Sequence, residues 1–532
     1  MTSAHTDSFV RDRLPPPGAQ PDFRFDLPEL LYPERLNAAV DLIDTGDPDA
    51  LAVLNDNGRW TYGAMADLSD RIARLLVEEE GLEPGNRVFL RGPNGAMLFA
   101  CWLGVLKAGG ILVTTMPVLR AGEIATILAR AEVSHAIVDD RCLEDYHPGA
   151  AQAGTVRSLL TYHGDLGGGA LERRLERTAP GFPAAATHRD DVALIAFTSG
   201  TTGKPKGCVH FHRDVLACAD AFARHLLDPR PGDRWACSAP IAFTFGLGQL
   251  LIFPWRFGGT AVTLETPGPG PLLDAIARHR VTTLATAPTA YKAMLGLLGG
   301  ADISSLRTCV SAGEHLPAAT WHAWAEATGL RIVDGIGATE MMHIFISASG
   351  DDIRPGATGK AVPGYQATVL GEDGRPLATG TGRLAVKGPT GCRYFDDPRQ
   401  ADYVEHGWNV TGDTYRRDGD GYFWYVARSD DMIVSAGYNI AAPEVENALY
   451  GHPAVGECAV VGVPCPERGQ KVMAFIVPAP GHEPSDALAE TLQAHVKATI
   501  APYKYPRAIA FVAALPKTAT GKLQRYALRT AE

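Results

Sequence analysis

Residues 192–207, VALIAFTSGTTGKPKG, constrain this chain more than any other stretch. Residues 192–197 form an unbroken apolar run of strand length, which reads as a buried strand. The run opens into TSGTTGKPKG at residues 198–207. Gly200, Gly203 and Gly207 let the backbone turn tightly and approach a ligand closely. Thr198, Ser199, Thr201 and Thr202 present hydroxyls, and Lys204 and Lys206 present positive charge. Backbone N–H groups, hydroxyls and ammonium groups together suit the oxygens of a polyphosphate. The spacing is not that of a P-loop, which requires G-x-x-x-x-G-K-[ST]. The bland alternative is a Gly/Thr surface turn, but a strand feeding a loop with two lysines is uncommon in plain linkers.

A chain of 532 residues exceeds one ordinary core, so at least two domains are expected. Apolar residues make up 46% and charged residues 20%, which fits a globular rather than a disordered chain. The net charge of −11 argues against nucleic acid as the main partner. Nine scattered cysteines without a C-x-x-C pair read as reduced thiols of a cytoplasmic protein, not as a disulfide frame or a zinc site. The N-terminus has no apolar core for a signal peptide, and no segment approaches the ~18 uninterrupted apolar residues of a membrane span. Residues 1–25 are polar and Pro-rich and read as a loosely attached lead-in.

Strand-like and helix-like segments alternate through most of the chain. Strands are expected at 87–90, 110–114, 135–139, 281–287, 308–311 and 332–335, and an apolar helix-like stretch at 104–108. Val215, Leu216, Ala219, Phe222 and Leu226 recur at helical spacing after the Gly-rich loop. The alternation predicts an α/β fold with parallel sheet, in which ligands collect beyond the strand ends. Residues 382–387 and 421–426 change to short strands with Gly-rich turns. The polar RSDD at 428–431 then precedes a smaller α+β unit, with strands at 458–463, 472–477 and 508–513 and helices at 443–449 and 487–500. Pro443 suits a first helical turn. The expected organisation is a lead-in at 1–25, a large domain at 26–429 and a small domain at 430–532, divided at Asp430.

Four further motifs fall at strand ends or loops. In DGIGATE at 334–340, two glycines flank Ile336 and leave room for a flat group, Thr339 offers a hydroxyl, and Glu340 a hard oxygen ligand for phosphate-bound Mg²⁺. Asp413, in TGD at 411–413, is placed to accept hydrogen bonds from a ribose diol. RSDDMIVSAGYNIAAPEVE occupies 428–446, and PKTATGKLQR at 516–525 presents Lys522. Singly, each has a dull explanation as a surface acid, a turn former or a tail lysine. Their joint occurrence in this order does not.

With these motifs the chain resembles the adenylate-forming superfamily of acyl- and aryl-CoA synthetases, peptide-synthetase adenylation domains and luciferases. The resemblance covers nearly the whole chain and implies a large N-terminal domain, a small mobile C-terminal domain and a site between them. It implies two steps. A carboxylate attacks the α-phosphorus of MgATP to give an acyl-adenylate and pyrophosphate, and a thiol then attacks the acyl carbon and releases AMP. Placement and charge stabilisation carry such chemistry. Lys522 matches the family's bridging lysine, with Thr339 and Glu340 completing the catalytic set and Glu340 on Mg²⁺. Thr198, Ser199, Gly200, Thr201, Thr202, Gly203 and Lys206 match the pyrophosphate end. Ser311, Ala312, Gly313, Glu314, Asp334, Gly335, Ile336 and Gly337 match the adenine site, and Asp413 and Arg428 the ribose site. Asp430 sits at the family's hinge, where rotation would withdraw Lys522 and bring in Ser435, Ala436, Gly437 and Tyr438 along a channel for the pantetheine thiol. Many relatives carry Gly where Ala427 stands.

The family's acid pocket falls on PIAFTFGLG at 240–248 and EMMHIF at 340–345. Phe243, Phe245, Gly246, Ile336, Gly337, Met341 and Ile344 would make a flat apolar slot suited to an aromatic ring. Thr244 and His343 are its polar candidates; the alternative for His343 is a hydrogen bond to backbone beside the site. These segments look most like benzoate and 2-aminobenzoate CoA ligases. His210, His212 and Cys208 form at most a weak metal pattern. The resemblance implies an AMP-forming aryl-CoA ligase using ATP, Mg²⁺ and coenzyme A, with an aryl carboxylic acid as substrate, working as monomer or homodimer without membrane or nucleic acid. The competing readings are an enzyme that loads a carrier-protein thiol, a degenerate AMP-binding relative and a luciferase-like oxygenase.

Overall fold

The computed structural model describes residues 3–44, 46–198, 205–314, 316, 318–428, 432–516 and 525–529. The expected buried strand is Val192–Thr198, whose first residues are fully enclosed. It lies in a six-stranded sheet ordered Ser158–Tyr162, His135–Asp139, Arg87–Arg91, Ile111–Thr115, Val192–Thr198, Lys206–Phe211. All neighbours in this sheet are parallel except the last pair, which returns antiparallel.

A nine-stranded sheet stands beside it. Its parallel centre runs Ile332–Gly337, Thr308–Ser311, Thr283–Thr286, Arg234–Cys237, Thr260–Val262, Leu51–Asn55, with antiparallel strands at both edges. Helix Ala96–Lys107 is apolar all round and buried along its length, as a helix enclosed on every side must be. Its Phe99, Trp102 and Leu103 share one core with Val88 and Leu112 of the first sheet and Val53 and Val310 of the second. A third, antiparallel sheet holds Gly380–Lys387, Trp408–Arg417 and Phe423–Arg428.

Between Arg428 and Met432 the chain leaves that sheet for a fourth, built from Met432–Ser435, Tyr438–Ala441, Val455–Cys465, Gly469–Pro478 and Ala508–Phe511. Helices Ala442–Tyr450 and Asp486–Thr499 pack on it around a core of its own. Asp430, the expected division point, lies outside the described residues.

The lead-in is not loosely attached. Ala4 N donates to Asp191 Oδ2 at 2.9 Å, Asp7 pairs with Arg87, and Val10 is 1% exposed within the core beneath the first sheet. Its prolines make the backbone irregular without preventing it from packing. All nine cysteines are free thiols. No helix among the described residues is long and apolar enough to cross a membrane.

Candidate functional site

The ends of the Gly-rich loop are fixed by pairing: Thr198 closes one strand opposite Lys206, which opens the next. Ser199, Gly200, Thr201, Thr202, Gly203 and Lys204 lie outside the described residues, as does Lys522. Lys206 Nζ lies 3.7 Å from Glu340 Oε1 and 4.7 Å from the centre of the Tyr394 ring. Glu340 sits in a 3₁₀ turn, Thr339–Met341, just beyond the strand Ile332–Gly337, and is 7% exposed. The Tyr394 hydroxyl donates to its Oε1.

Beneath this carboxylate runs a buried polar line that the sequence did not disclose. His210 Nε2 donates to the Thr339 carbonyl at 2.7 Å, His210 Nδ1 is 3.8 Å from Asp214, and Asp214 accepts from Arg393 at 2.7 Å. Burial opposes protonation of His210, but the Cys208 sulfur and the Asp214 carboxylate hold its pKa above the usual imidazole range. His212 instead accepts from Ala38 N at 3.1 Å, and burial pushes its pKa down to about 3. Among the described residues no group of three or more His, Cys, Asp or Glu is arranged to hold a metal. Tyr394 and Arg393 carried no motif; only the long-range pairing of Cys208 with Tyr394 brings them here.

The adenine candidates stand at the ends of adjacent parallel strands, with Ser311 beside Asp334. Burial pushes the Asp334 carboxyl up to about 7 and also raises that of Glu314. Gly335 and Gly337 have a reason the motif reading did not give. A Cβ on Gly335 would meet Ile344 Cγ2 at 2.6 Å, and one on Gly337 would meet the His343 carbonyl at 2.8 Å. The space they leave is taken by the neighbouring strand, Ile344–Ser347, rather than left open. Asp413 is 9% exposed and lies directly opposite Arg428 in its ladder, so the two ribose candidates share one register position.

A cavity of about 910 Å³ joins these groups to the expected aryl slot and is bordered there by Phe243, Thr244, Phe245, Gly337, His343 and Ile344. Ala312, Gly313, Thr411 and Asp413 border it on the nucleotide side; Pro240, which opens the segment at 240–248, and Ser238, which no motif marks, also line it. Met341, Ile336 and Gly246 are not on its wall. Met341 is wholly buried with its carbonyl accepting from Thr390 at 2.7 Å, Ile336 packs on the main core, and Gly246 presses against the Pro240 carbonyl, 2.2 Å from where a Cβ would stand.

His343 is the slot's buried polar group. Its ring stacks on Phe222 at 5.5 Å, leans on Phe245 at 5.6 Å and meets the edge of Phe253 at 4.6 Å. Burial pushes its pKa down to about 3, so the imidazole is neutral at physiological pH. Neither ring nitrogen has a well-formed hydrogen bond among the described residues, although the Phe245 backbone lies alongside. Phe222 lies in a π-helical turn, Ala219–Ala223, and Phe253 directly follows another, Gly248–Ile252. A Cβ on Gly248 would stand 2.4 Å from His343 Cδ2.

The smaller unit reaches this cavity through a hairpin and, beside it, through Glu444, Ile500, Tyr503 and Lys504. Met432–Ser435 and Tyr438–Ala441 are joined by Ala436 and Gly437, both with positive φ (49° and 80°), the signature of a tight two-residue turn. A Cβ on Gly437 would stand 3.4 Å from Ala287 Cβ and 3.9 Å from Glu314 Oε1. Tyr438 meets Phe243 of the slot edge-on at 6.2 Å. Ala436, Gly437 and Tyr438 thus border the cavity, whereas Ser435 does not: it is buried and its hydroxyl accepts from Arg468 Nε at 3.2 Å.

These features define an enzyme that activates a carboxylate with a nucleotide, and the chain belongs to the AMP-binding enzyme family, the adenylate-forming superfamily. The family's sequence profile matches residues 43–394, and that of the AMP-binding enzyme C-terminal domain matches 444–522. The chain is 37% identical to the benzoate–CoA ligase of Thauera aromatica over 518 residues, 95% of this chain and 98% of that protein. The crystal structure of an anthranilate CoA ligase in complex with anthranoyl-AMP is 35% identical over 95% of this chain and 98% of its own, with a TM-score of 0.73. An amide bond synthetase from Marinactinospora thermotolerans is 29% identical over 93% of this chain and 99% of its own, with a TM-score of 0.84.

Proposed function

We propose that this chain is an AMP-forming aryl-CoA ligase acting on a benzoate-type acid, with 2-aminobenzoate as its leading substrate. The observation that carries this reading is the slot itself: an apolar, aromatic-lined cavity end with one neutral imidazole, opening directly onto Thr339, Glu340 and Lys206. A flat ring fits such walls, and an unpaired buried nitrogen calls for a polar ring substituent. His343 would pair with an ortho amino group and Thr244 with the same edge of the ring.

In the first step the acid's carboxylate is itself the nucleophile, so the protein's task is alignment. Lys206 and the Gly-rich loop would hold the β- and γ-phosphates. Asp413 and Arg428 would fix the ribose, and the strand ends carrying residues 311–314 and 334–337 would bracket the adenine. Lys522 would neutralise charge shared by the carboxylate and the α-phosphate. Glu340, a carboxylate facing the phosphate end and steadied by Tyr394, fits a Mg²⁺ ligand. Mg²⁺, when bound, offsets negative charge on the phosphates. In the second step a thiol reaches the acyl carbon beside Gly437. On this reading the arrangement with residues 436–438 at the cavity serves the second step, and rotation about Asp430 would exchange it for the first.

Product analysis by mass spectrometry tests the reading. With MgATP, CoA and a mixture of benzoate, 2-aminobenzoate, hydroxybenzoates, cinnamate and medium-chain fatty acids, a dominant aryl-CoA is expected. Aryl-AMP accumulating without aryl-CoA would shift the acceptor to a carrier-protein thiol. A fatty acyl-CoA product would overturn the aryl reading.

A further inference from the structure

A buried ion cluster ties the smaller unit to the first sheet's flank along one wall of the same cavity. Lys504, in the turn Pro502–Lys504, is 3% exposed and donates to two carboxylates. One is Glu444 of its own unit, at 2.5 Å; the other is Glu123 of helix Ala121–Arg130, at 2.6 Å. Glu123 holds the junction a second time, because its Oε2 accepts from Ala501 N at 3.1 Å while also capping its own helix at Arg120 N, 3.0 Å away. Ala501 is wholly buried in the core that underlies the first sheet.

The cluster connects to the hairpin through adjacent residues. Tyr503, next to Lys504, stacks on Tyr438 at 4.2 Å and 29°, and Tyr438 in turn meets Phe243. Seating Lys504 on Glu123 therefore sets the height of Tyr438, and with it the Ala436–Gly437 turn beside Glu314. Of the two ion pairs only one crosses between the units. Rotation of the smaller unit leaves Lys504–Glu444 intact and breaks Lys504–Glu123. A contact present in one arrangement and absent from the other biases the equilibrium between them by its own differential free energy.

We propose that Glu123 and Lys504 form a clamp that selects the thioester-forming arrangement, making them positioning residues for the second half-reaction only. This rests on the ligase reading above, and the two are separable because each half-reaction has its own assay. ATP–pyrophosphate exchange with the aryl acid reports the first step. Single-turnover formation of aryl-CoA from enzyme-bound aryl-AMP and CoA reports the second.

In Glu123→Gln the amide keeps an acceptor for the helix cap but turns a donor toward Lys504. Thioester formation is expected to fall about 5–20-fold while exchange stays within about twofold of the parent or rises, as expected when one of two coupled arrangements loses its bias. Lys504→Gln should reproduce that split, and Lys504→Arg, which keeps the charge, should restore most of the second step. An unchanged melting temperature alongside the split separates positioning from general stability. Equal loss of both steps, or no loss of the second in either Gln variant, overturns the clamp. A parent chain that exchanges pyrophosphate yet makes no thioester from CoA overturns the ligase reading and the clamp with it. A parent that makes aryl-CoA while both variants keep it fully overturns the clamp alone.

Discussion

The aryl slot and the Gly437 hairpin face the same nucleotide site and are held by opposite means. Around His343 everything is apolar contact: Phe222, Phe245 and Phe253 close on the ring within 4.6–5.6 Å, and the histidine is 2% exposed. The hairpin touches the larger body through a glycine near one alanine and one glutamate and through a single aromatic edge, and beside it Lys504 is seated on Glu123. Close-packed apolar surface has no second arrangement of similar energy, whereas a few polar contacts are exchanged without opening a core. On the function proposed above, recognition of the acid falls to the rigid part and timing to the detachable part.

Substituting Lys522 would break this division most sharply. Lys522→Ala should lower aryl-AMP formation by about 10²–10³-fold, the loss typical of a group that stabilises transition-state charge, with thioester formation from supplied aryl-AMP largely intact. Equal loss of both half-reactions would mean that the smaller unit does not alternate. Glu340→Gln should cost roughly 10²-fold in pyrophosphate exchange. Tyr394→Phe, which removes one hydrogen bond to that carboxylate, should cost only about fivefold, near 1 kcal/mol. Exchange assays at saturating and limiting MgATP distinguish the two.

Within the rigid part, Gly248→Ala drives a methyl against His343 and should raise KM for the aryl acid about tenfold through ~1–3 kcal/mol of overpacking, leaving KM for ATP unchanged. Equal rises in both would show that the slot and the nucleotide site are not independent. The smallest effect concerns pH. His343 has a folded-state pKa near 3, below the 6.5 of an exposed imidazole. It therefore stays neutral from pH 5 to 8, and kcat/KM for the acid should show no inflection from this ring. The stability linked to it is complete above 6.5 and is lost as pH falls toward 3, because only the unfolded chain takes up the proton. His343→Phe should accordingly flatten the acid limb of the melting-temperature profile.

The strands were legible because apolar runs of fixed length bounded by turn residues permit little else; His135–Asp139 and Thr308–Ser311 fall where expected, to the residue. Glu340, Asp413 and His343 could be singled out because each stands in a short motif, and all three border the cavity. What stayed hidden depends on sequence-distant pairing. Tyr394 reaches Glu340 because an isolated bridge pairs it with Cys208, and Lys504 meets Glu123 from 381 positions away. Met341 and Ile336 were misplaced on the slot wall for a related reason, since adjacency to a motif does not say which way a side chain turns. The lead-in was misread because proline content reports backbone regularity, while Val10 is held by burial.

The π-helical turns at 219–223 and 248–252 each amount to one residue more than an α-helix needs, and both bear on the ring that closes the slot. Losing a residue from either would restore ordinary helical winding and swing every later side chain by about 100° around the axis. Loss from 248–252 would turn Phe253 away from His343. The slot's breadth is in this respect a matter of chain length rather than of side-chain identity. Relatives that differ by a single insertion or deletion in these two helices should differ in the ring they accept more than relatives that differ by several substitutions along the same wall.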